Sequence, residues 1–199
     1  MAVFLAFCPG LPSVDQIFPP PVIHQVQPAL GPPGVKHLAK VEDLVFALTN
    51  QARQARGLAP LAKDEELRQT ARAYSDDMLV RRFFDHTTPD GISFDERISD
   101  HYSHRFYVVG ENIWSAFGYN PARAQQVAQE ILDSWMTSPG HRANLLSPDY
   151  THLGVGVSAR QHSIRATQEF VGKSKAFNFR EVITHIKAKV SSSWFPVRS

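Results

Sequence analysis

Most of the fourteen prolines in this 199-residue chain lie in residues 9–34. Proline fixes φ near about −65° and has no N–H to donate, so a segment this rich in proline forms neither a helix nor a central strand. We therefore predict that residues 1–36 are an apolar start followed by a disordered, proline-rich tether. The folded body is expected to begin at residue 37.

The first eight residues are apolar but differ from a typical secretory signal. No Lys or Arg precedes the apolar run, and the run ends at Pro9 and Gly10. A secretory signal has a basic start and a longer apolar stretch. We interpret the segment as an atypical or truncated signal of a secreted or cell-envelope protein, or as a disordered arm. Because Cys8 is the single cysteine, no intrachain disulfide can form.

Charge and apolar run length limit the partners of the chain. The formal net charge is only +2, which leaves no global electrostatic footprint for nucleic acid. No stretch approaches the roughly 20 apolar residues that span a bilayer, so no transmembrane segment is expected. The expected partner is a small molecule, a lipid or a component of the cell envelope, and the expected state is a monomer.

Three segments of residues 37–173 have helical periodicity. The first carries apolar residues at helical spacing from Leu38 and stops near Gly57. The second begins at about Asp64, which has the side chain of an N-cap, and runs out near Arg82. The third begins near Pro121, since proline is tolerated in the first turn of a helix, and ends before Pro139. A shorter helical piece spans residues 94–98.

Two strand-like runs follow the helices, at residues 153–158 and 164–171. Two antiparallel strands alone are marginally stable, so a third is expected at residues 107–114, with helices packed on both faces. The predicted fold class is therefore α/β, a three-layer α-β-α sandwich with a small, mainly antiparallel sheet. Residues 174–199 are predicted to be a basic, amphipathic extension whose helix packs on the body or lies on a membrane surface.

Four short motifs occur in a fixed order. They are Phe84-Asp85-His86-x-x-Pro89-Asp90-Gly91, Gly110-Glu111-Asn112-Ile113, Trp135-x-x-Ser138-Pro139-Gly140-His141-Arg142-x-Asn144 and Leu153-Gly154-Val155-Gly156. Each motif alone is weak evidence, but their joint order over residues 41–172 closely resembles the CAP superfamily of cysteine-rich secretory proteins, antigen 5 and pathogenesis-related proteins. The chain is similar to bacterial members that lack disulfides.

The resemblance implies a set of site residues. In the family, two histidines and two glutamates line a central cavity. His86 and His141 match the histidines, and Glu111 matches the first glutamate. The position of the second glutamate holds Ser138, so the chain departs from the full set there. Asn144 occupies the place of a family glutamine, and all five residues are expected to line the cavity.

Two imidazoles and a carboxylate that converge have three chemical uses. Neutral imidazoles bind a metal such as zinc, and a nearby carboxylate can accept a proton from metal-bound water. Alternatively, the carboxylate fixes a histidine tautomer within a hydrogen-bonded network. Because His86 and His141 supply only two metal ligands, the sequence predicts at most a weakly bound zinc or other divalent ion. The cofactor itself is not identified.

Structural explanations compete with these chemical ones. Glu111 is equally explained as a buried carboxylate that binds helix backbone amides. His141 is placed just past a helix end, where a protonated imidazole interacts favourably with the helix dipole. Asn144 is explained as a donor to loop carbonyls.

The aromatic residues near the motifs are expected to belong to the core. Trp135 and Phe84 are assigned there directly. Trp114, Phe117 and Tyr119 form a cluster that either lines an apolar ligand groove or fills the sandwich, and the second interpretation is preferred.

The sequence leaves three functions open. The preferred one is a secreted or envelope-associated module whose His/Glu cavity binds a small ligand, a metal ion or a lipid-like molecule. The alternatives are a peptidase-like, metal-dependent hydrolase with His86 and His141 as ligands and Glu111 as base, and an adhesive or structural module on a proline-rich stalk. The chain lacks the usual nucleophile, phosphate-loop and zinc-protease motifs, so a non-enzymatic function is favoured.

Overall fold

The computed structural model describes residues 32–118, 120 and 123–173. The strands in these ranges are β1 (Val35–His37), β2 (Ala62–Lys63), β3 (Val108–Phe117), β4 (His152–Arg160) and β5 (Ser163–Gly172). The helices are α1 (Ala39–Gln54), α2 (Glu65–Arg81), α3 (Phe94–His101), α4 (Ala124–Thr137) and α5 (Pro139–Leu146). The proposed tether up to residue 31, and the extension from residue 174 with its predicted helix, lie outside the described residues.

The strands form one sheet in the order β1-β4-β5-β3. Strands β4 and β5 are joined by a tight hairpin, and β5 pairs with β3 over ten residues in antiparallel register. The short strand β2 pairs in parallel with the start of β4. Strand β3 therefore lies at one edge of the sheet, where residues from outside the sheet can approach it.

Apolar residues on both faces of the sheet build the three layers. On one face, Leu153, Val155 and Val157 of β4 join a core cluster with α1 and α4, including the fully buried Trp135. On the other face, Val171 of β5 packs with Leu67 of α2 and with α3. Period-2 alternation along β4 and β5 thus gives each helical layer its own apolar surface.

Helix α2 lies directly against β4 because two glycines make room for it. A Cβ atom at Gly154 would overlap the backbone of Leu67, and one at Gly156 would overlap the backbone of Ala71 and Arg72. Glycine is required at both positions by close approach of the two backbones. The Leu-Gly-Val-Gly motif is therefore a packing motif.

A buried carboxylate ties α1, α2 and β4 together. Glu42 is 1% exposed and accepts hydrogen bonds from Arg68 Nε at 2.9 Å, Arg72 Nη2 at 2.6 Å and the Val157 amide at 3.1 Å. These donors compensate the charge that folding removes from water. The network spans the sheet between its two helical layers.

The predicted fold class is confirmed, and so are most of the helices. Asp64 is the N-cap of α2, since its carboxylate accepts from the amides of Glu66 and Leu67. Strand β1 begins at Val35, two residues before the predicted start of the domain at residue 37. Helix α5 was not predicted, because the sequence around Pro139 and Gly140 is typical of a turn.

Candidate functional site

His86 lies in the connection between α2 and α3, and hydrogen bonds hold the backbone on both sides of it. Tyr74 of α2 donates its hydroxyl to the Asp85 carbonyl, and Arg97 of α3 donates to the His86 carbonyl at 3.1 Å. The imidazole side chain is 45% exposed. The two helices therefore fix the main chain at His86 while the ring stays open to solvent.

Glu111 lies on the edge strand β3, and its side chain is completely buried. Its Oε1 accepts from His86 Nδ1 at 2.8 Å, and its Oε2 accepts from Arg97 Nη2 at 2.6 Å. Because Nδ1 carries the proton of the first bond, Nε2 is the ring nitrogen of His86 that can meet a ligand. Glu111 thus orients the imidazole and fixes its tautomer. Its partners are side chains, whereas the structural explanation from sequence expected helix amides.

Arg97 is a site residue that sequence reasoning missed. Its guanidinium carbon lies 3.3 Å from the centroid of the Tyr74 ring, and Nη1 also donates to the Ile92 carbonyl at 3.1 Å. A planar guanidinium can stack on an aromatic ring and donate several hydrogen bonds at once. In the sequence Arg97 stands in a short, charge-rich helix, a pattern typical of an exposed surface, so nothing there distinguished it.

His141 is the third residue of α5, and its ring centroid lies 6.2 Å from that of His86. The prediction that His141 lies just past a helix end is wrong. Helix α4 ends at Thr137, and α5 begins again at Pro139, where the missing N–H of proline costs nothing. His141 is therefore near the amino-terminal end of a helix, where the dipole disfavours a protonated imidazole.

Two asparagines tie α5 to β3 behind the histidines. Asn144 Nδ2 donates to the Glu111 carbonyl and to Asn112 Oδ1, at 3.0 Å in both cases. Asn112 Nδ2 donates in turn to the His141 carbonyl at 3.1 Å. Asn144 therefore bonds the main chain of a strand, where the sequence suggested loop carbonyls. It positions the elements that carry Glu111 and His141.

Ser138 stands apart from this network. It lies between α4 and α5, and its amide donates to the Ser134 carbonyl at 3.2 Å. Its hydroxyl forms no hydrogen bond with a side chain of the described site residues. The structure thus brings His86, Glu111 and His141 together, sets Asn144 behind them, and does not link the Ser138 side chain to them.

The pKa values of the two histidines are shifted in opposite directions. The hydrogen bond that His86 donates to Glu111 raises the pKa of His86 above 6.5, and burial works against this shift. Burial lowers the pKa of His141 below 6.5, and the charge of His86 adds to the effect. These opposite shifts widen the pH range in which a protonated His86 lies beside a neutral His141.

A second carboxyl group lies beside Glu111. Glu169 on β5 is the cross-strand neighbour of Glu111 in the register, is fully buried, and neither of its oxygens has a hydrogen-bond partner among the described residues. Burial and the charge of Glu111 raise the pKa of Glu169 well above its usual value. Burial and the neighbouring charge therefore favour the protonated, uncharged form of Glu169. Sequence reasoning missed it, because a glutamate within a strand is usually exposed.

The described residues do not form a closed metal site. No group of three or more His, Cys, Asp or Glu side chains suited to a metal ion occurs within residues 32–118, 120 and 123–173. Both oxygens of Glu111 already accept hydrogen bonds, so the arrangement offers only the two imidazoles. Structural zinc sites use four protein ligands, and catalytic sites use three.

Two of the aromatic assignments are wrong and one is confirmed. Trp135 is fully buried, and its Nε1 donates to the Ile113 carbonyl at 2.9 Å. Phe84 is 47% exposed and Phe117 is 80% exposed, because each lies at or beyond the end of its element, at the rim of the sandwich. Trp114 is partly buried against the core, and Tyr119 lies outside the described residues.

A small hollow of about 130 Å³ lies beside Trp114 and Phe117, between the end of β3 and the start of α4. Binding sites for drug-sized molecules measure roughly 300–1,000 Å³. This hollow is therefore too small to enclose a sterol or a fatty acid.

The sequence of this chain matches a known protein family and a known bacterial protein. The sequence profile described as the cysteine-rich secretory protein family, abbreviated CAP, matches residues 46–170, a range that includes His86, Glu111 and His141. The uncharacterized protein YkwD of Bacillus subtilis (strain 168) is 43% identical over 133 residues, which are 66% of this chain and 47% of that protein.

Solved structures show the same fold. An extracellular protein of Bacillus anthracis that contains an SCP domain is 32% identical, with a TM-score of 0.58 over 68% of this chain and 41% of that chain. An outer surface protein of Borrelia burgdorferi is 19% identical, with a TM-score of 0.60 over 70% of this chain and 98% of that chain.

Two further facts bear on the whole protein. The chain spans less than half the length of YkwD and of the Bacillus anthracis protein. Within the described part of the chain, no helix has both the length and the apolar character needed to cross a membrane.

Proposed function

This chain belongs to the cysteine-rich secretory protein (CAP) family, and we propose that it is an extracellular or cell-envelope binding module. In this proposal a small polar ligand binds beside the exposed ring of His86, where it also meets His141, and Glu111 holds the His86 ring from behind. An extracellular location is supported by the relative from Bacillus anthracis, which is itself described as extracellular. The family profile and the sheet together support residues 37–173 as the binding domain.

One observation carries the proposal. The His86 ring is anchored through Nδ1 by a buried carboxylate at 2.8 Å, yet the side chain is 45% exposed and faces the ring of His141 at 6.2 Å. An imidazole held in one orientation in a side chain that is half exposed is prepared to bind a ligand through Nε2, which accepts a hydrogen bond when the ring is neutral and donates one when the ring is protonated. The neutral ring of His141 supplies an acceptor close by.

The hydrogen bonds of Glu111 argue against a hydrolase. A general base must reach the proton of the attacking water with a free oxygen. Both oxygens of Glu111 are engaged, one by His86 and one by Arg97, and the side chain is completely buried. Its geometry supports an orienting role, and no other described carboxylate is hydrogen-bonded to either histidine.

Other ligands suit the site less well than a small polar molecule. A divalent metal ion would have only two imidazole ligands here, fewer than the three or four protein ligands of known zinc sites. A lipid-like molecule requires a large apolar enclosure, and the hollow beside Trp114 and Phe117, the aromatic residues that could line an apolar groove, measures only about 130 Å³. We therefore place a metal ion or a lipid second to a small polar ligand.

Native mass spectrometry of the purified full chain tests the proposal. We expect a small molecule to co-purify with the wild type and to be lost in the double variant His86→Ala, His141→Ala. The control is His101→Ala, since His101 is an exposed residue at the end of α3. A bound molecule that survives in the double variant would show that His86 and His141 do not form the binding site.

A zinc titration of the wild type, the double variant and the control distinguishes a metal ligand from a small polar ligand. Tight zinc binding that disappears only in the double variant would show that the ligand of the site is a metal ion and not a small polar molecule. Hydrolysis of a peptide or ester substrate that is abolished by Glu111→Gln, with the fold retained, would overturn the binding proposal in favour of an enzyme.

A further inference from the structure

A second hollow lies at the opposite end of α2 from its N-cap, against the tip of the β4–β5 hairpin. It has a volume of about 220 Å³. It is lined by Met78, Leu79, Arg82, Arg160, Gln161, Ser163 and Arg165. Three of these seven residues are arginines, and none is acidic.

The three arginines have no carboxylate partner within the described ranges. None of the ion pairs of residues 32–118, 120 and 123–173 includes Arg82, Arg160 or Arg165. The acids nearest on α2 are engaged elsewhere: Asp76 accepts from His37 at 2.9 Å, and Asp77 lies 3.5 Å from Arg81. The positive charge of the hollow is therefore not neutralised by these side chains.

Two buried polar atoms at or beside this hollow have no hydrogen-bond partner among the described residues. Arg165 Nε is buried without one, and so is the hydroxyl of Ser158, the cross-strand neighbour of Arg165. The rest of the Arg165 guanidinium donates only to the carbonyl of Ile164, at 3.0 Å. Unsatisfied buried donors are rare in folded proteins, and they mark places where a ligand or a water is bound.

Structural contacts explain only part of this cluster. The guanidinium carbon of Arg165 lies 5.6 Å from the centroid of the Phe84 ring, so a cation–π contact accounts for part of its placement. Arg82 follows the last turn of α2, where a positive charge interacts favourably with the helix dipole. Arg160 and Arg165 lie on β4 and β5, so no helix dipole accounts for them. Like charges placed close together at one hollow repel each other, and a bound anion would offset this repulsion.

We propose that this hollow binds a phosphate-type oxyanion, either free or as the headgroup of a lipid. A guanidinium presents paired N–H donors that match the oxygens of a phosphate group. The volume of about 220 Å³ accommodates such a group, and Gln161 and Ser163 add neutral polar side chains at the rim. None of the residues that line this hollow is His86, Glu111 or His141, so this proposal does not depend on the function proposed for those three residues.

The test is a titration of the full-length protein with inorganic phosphate, followed by NMR of the backbone amides at constant ionic strength. We expect saturable shifts at residues 78–82 and 158–165. The double variant Arg82→Gln, Arg160→Gln should weaken phosphate binding about tenfold or more, because it removes two guanidinium groups that would donate charge-assisted hydrogen bonds to the anion. Both residues are at least partly exposed, so the variant is expected to fold.

The matched control is Arg105→Gln, which removes one positive charge from an exposed position outside the hollow. It should bind phosphate as the wild type does. Equal phosphate affinity in the double variant and the control would overturn the proposal, and so would equal shifts with chloride at the same ionic strength. A second variant, Arg165→Gln, removes the partly buried guanidinium and should also weaken phosphate binding in the same titration.

Vesicle binding identifies the source of the oxyanion. Vesicles of phosphatidylcholine with phosphatidic acid present a phosphate monoester at a surface, and vesicles of phosphatidylcholine alone are the control. Retention on the first kind only, lost in the double variant, assigns a lipid headgroup. Phosphate binding without vesicle retention assigns a free phosphate or a soluble phosphate ester. No binding to either probe would refute the site.

Discussion

Glu111 and Glu169 lie directly opposite each other on β3 and β5, and only Glu111 has hydrogen-bond partners among the described residues. Directly paired residues on antiparallel strands have Cβ atoms about 4.5–5.5 Å apart. Two carboxylates at that separation in a buried place cannot both be ionised without a large cost. Arg97 and His86 therefore stabilise the charge of Glu111, and Glu169 keeps its proton.

This arrangement predicts how stability depends on pH. The pKa of Glu169 is raised in the folded state, so the folded protein keeps a proton that the unfolded chain loses above about pH 4.3. Stability then falls as the pH rises from that value toward the folded pKa, by at most about 1.4 kcal/mol per pH unit. We expect Glu169→Gln to reduce this slope, as measured by urea unfolding between pH 5 and 8.

The exposed Glu130 on α4 is the control for that measurement. Glu130→Gln removes a carboxylate that is in contact with solvent, so the slope should match that of the wild type. A Glu169→Gln variant with an unchanged slope would mean that Glu169 is ionised in the folded protein, which contradicts the assigned proton.

The two histidines are predicted to titrate in separate steps. In an NMR titration of the imidazole protons, His86 should have a pKa above 6.5 and His141 a pKa below 6.5. Glu111→Gln should lower the pKa of His86, because the hydrogen bond that His86 donates to the carboxylate is the main cause of the upward shift. If His86 keeps its pKa in this variant, the hydrogen bond at Nδ1 is not formed in solution.

The layers of the fold were predictable because their signals are local. Helical periodicity, the Asp64 cap and the alternation along β4 each depend on residues close together in the chain. Helix α5 was missed for the same reason. Pro139 and Gly140 are typical of a turn, and only packing against β3 shows that Pro139 opens a new helix.

The site was predictable only in part. His86, Glu111 and His141 were identified through a family resemblance, which already contains information about long-range contacts. The neighbouring residues in the sequence do not distinguish Arg97 or Glu169, since Arg97 lies in a charged helix and Glu169 lies in a strand of mixed polarity. Their roles arise from burial and from pairing between distant segments, and single-sequence periodicity does not report either property.

Close packing of α2 on β4 gives a stability prediction. Gly154→Ala would place a methyl group into the backbone of α2 at Leu67, so we expect a loss of about 3 kcal/mol or more in the free energy of unfolding. Gly140→Ala is the control, because a Cβ at Gly140 in α5 meets open space. That substitution should be neutral or stabilise by about 0.5–1 kcal/mol. Equal effects in a thermal melt would contradict the packing argument.

Substitution of Arg97 tests the hydrogen-bonded network that Arg97, Glu111 and His86 form. Arg97 donates to Glu111 at 2.6 Å, and its side chain is 10% exposed. Removing one partner of a buried ion pair leaves an uncompensated charge and typically costs about 3–5 kcal/mol. We therefore expect Arg97→Gln to lower the free energy of unfolding by about that amount, as measured by urea denaturation.

The same substitution should act on His86 in the direction opposite to Glu111→Gln. The charge of Arg97 lowers the pKa of His86, so Arg97→Gln should raise that pKa. The double variant Arg97→Gln, Glu111→Gln removes both charges and should be more stable than Arg97→Gln alone, since no buried charge is left without its partner. Strictly additive losses of stability, together with an unchanged His86 titration, would show that the three side chains do not act as one network. In that case His86 would not be held by the Glu111–Arg97 pair, and the orientation of its free Nε2 would need another cause.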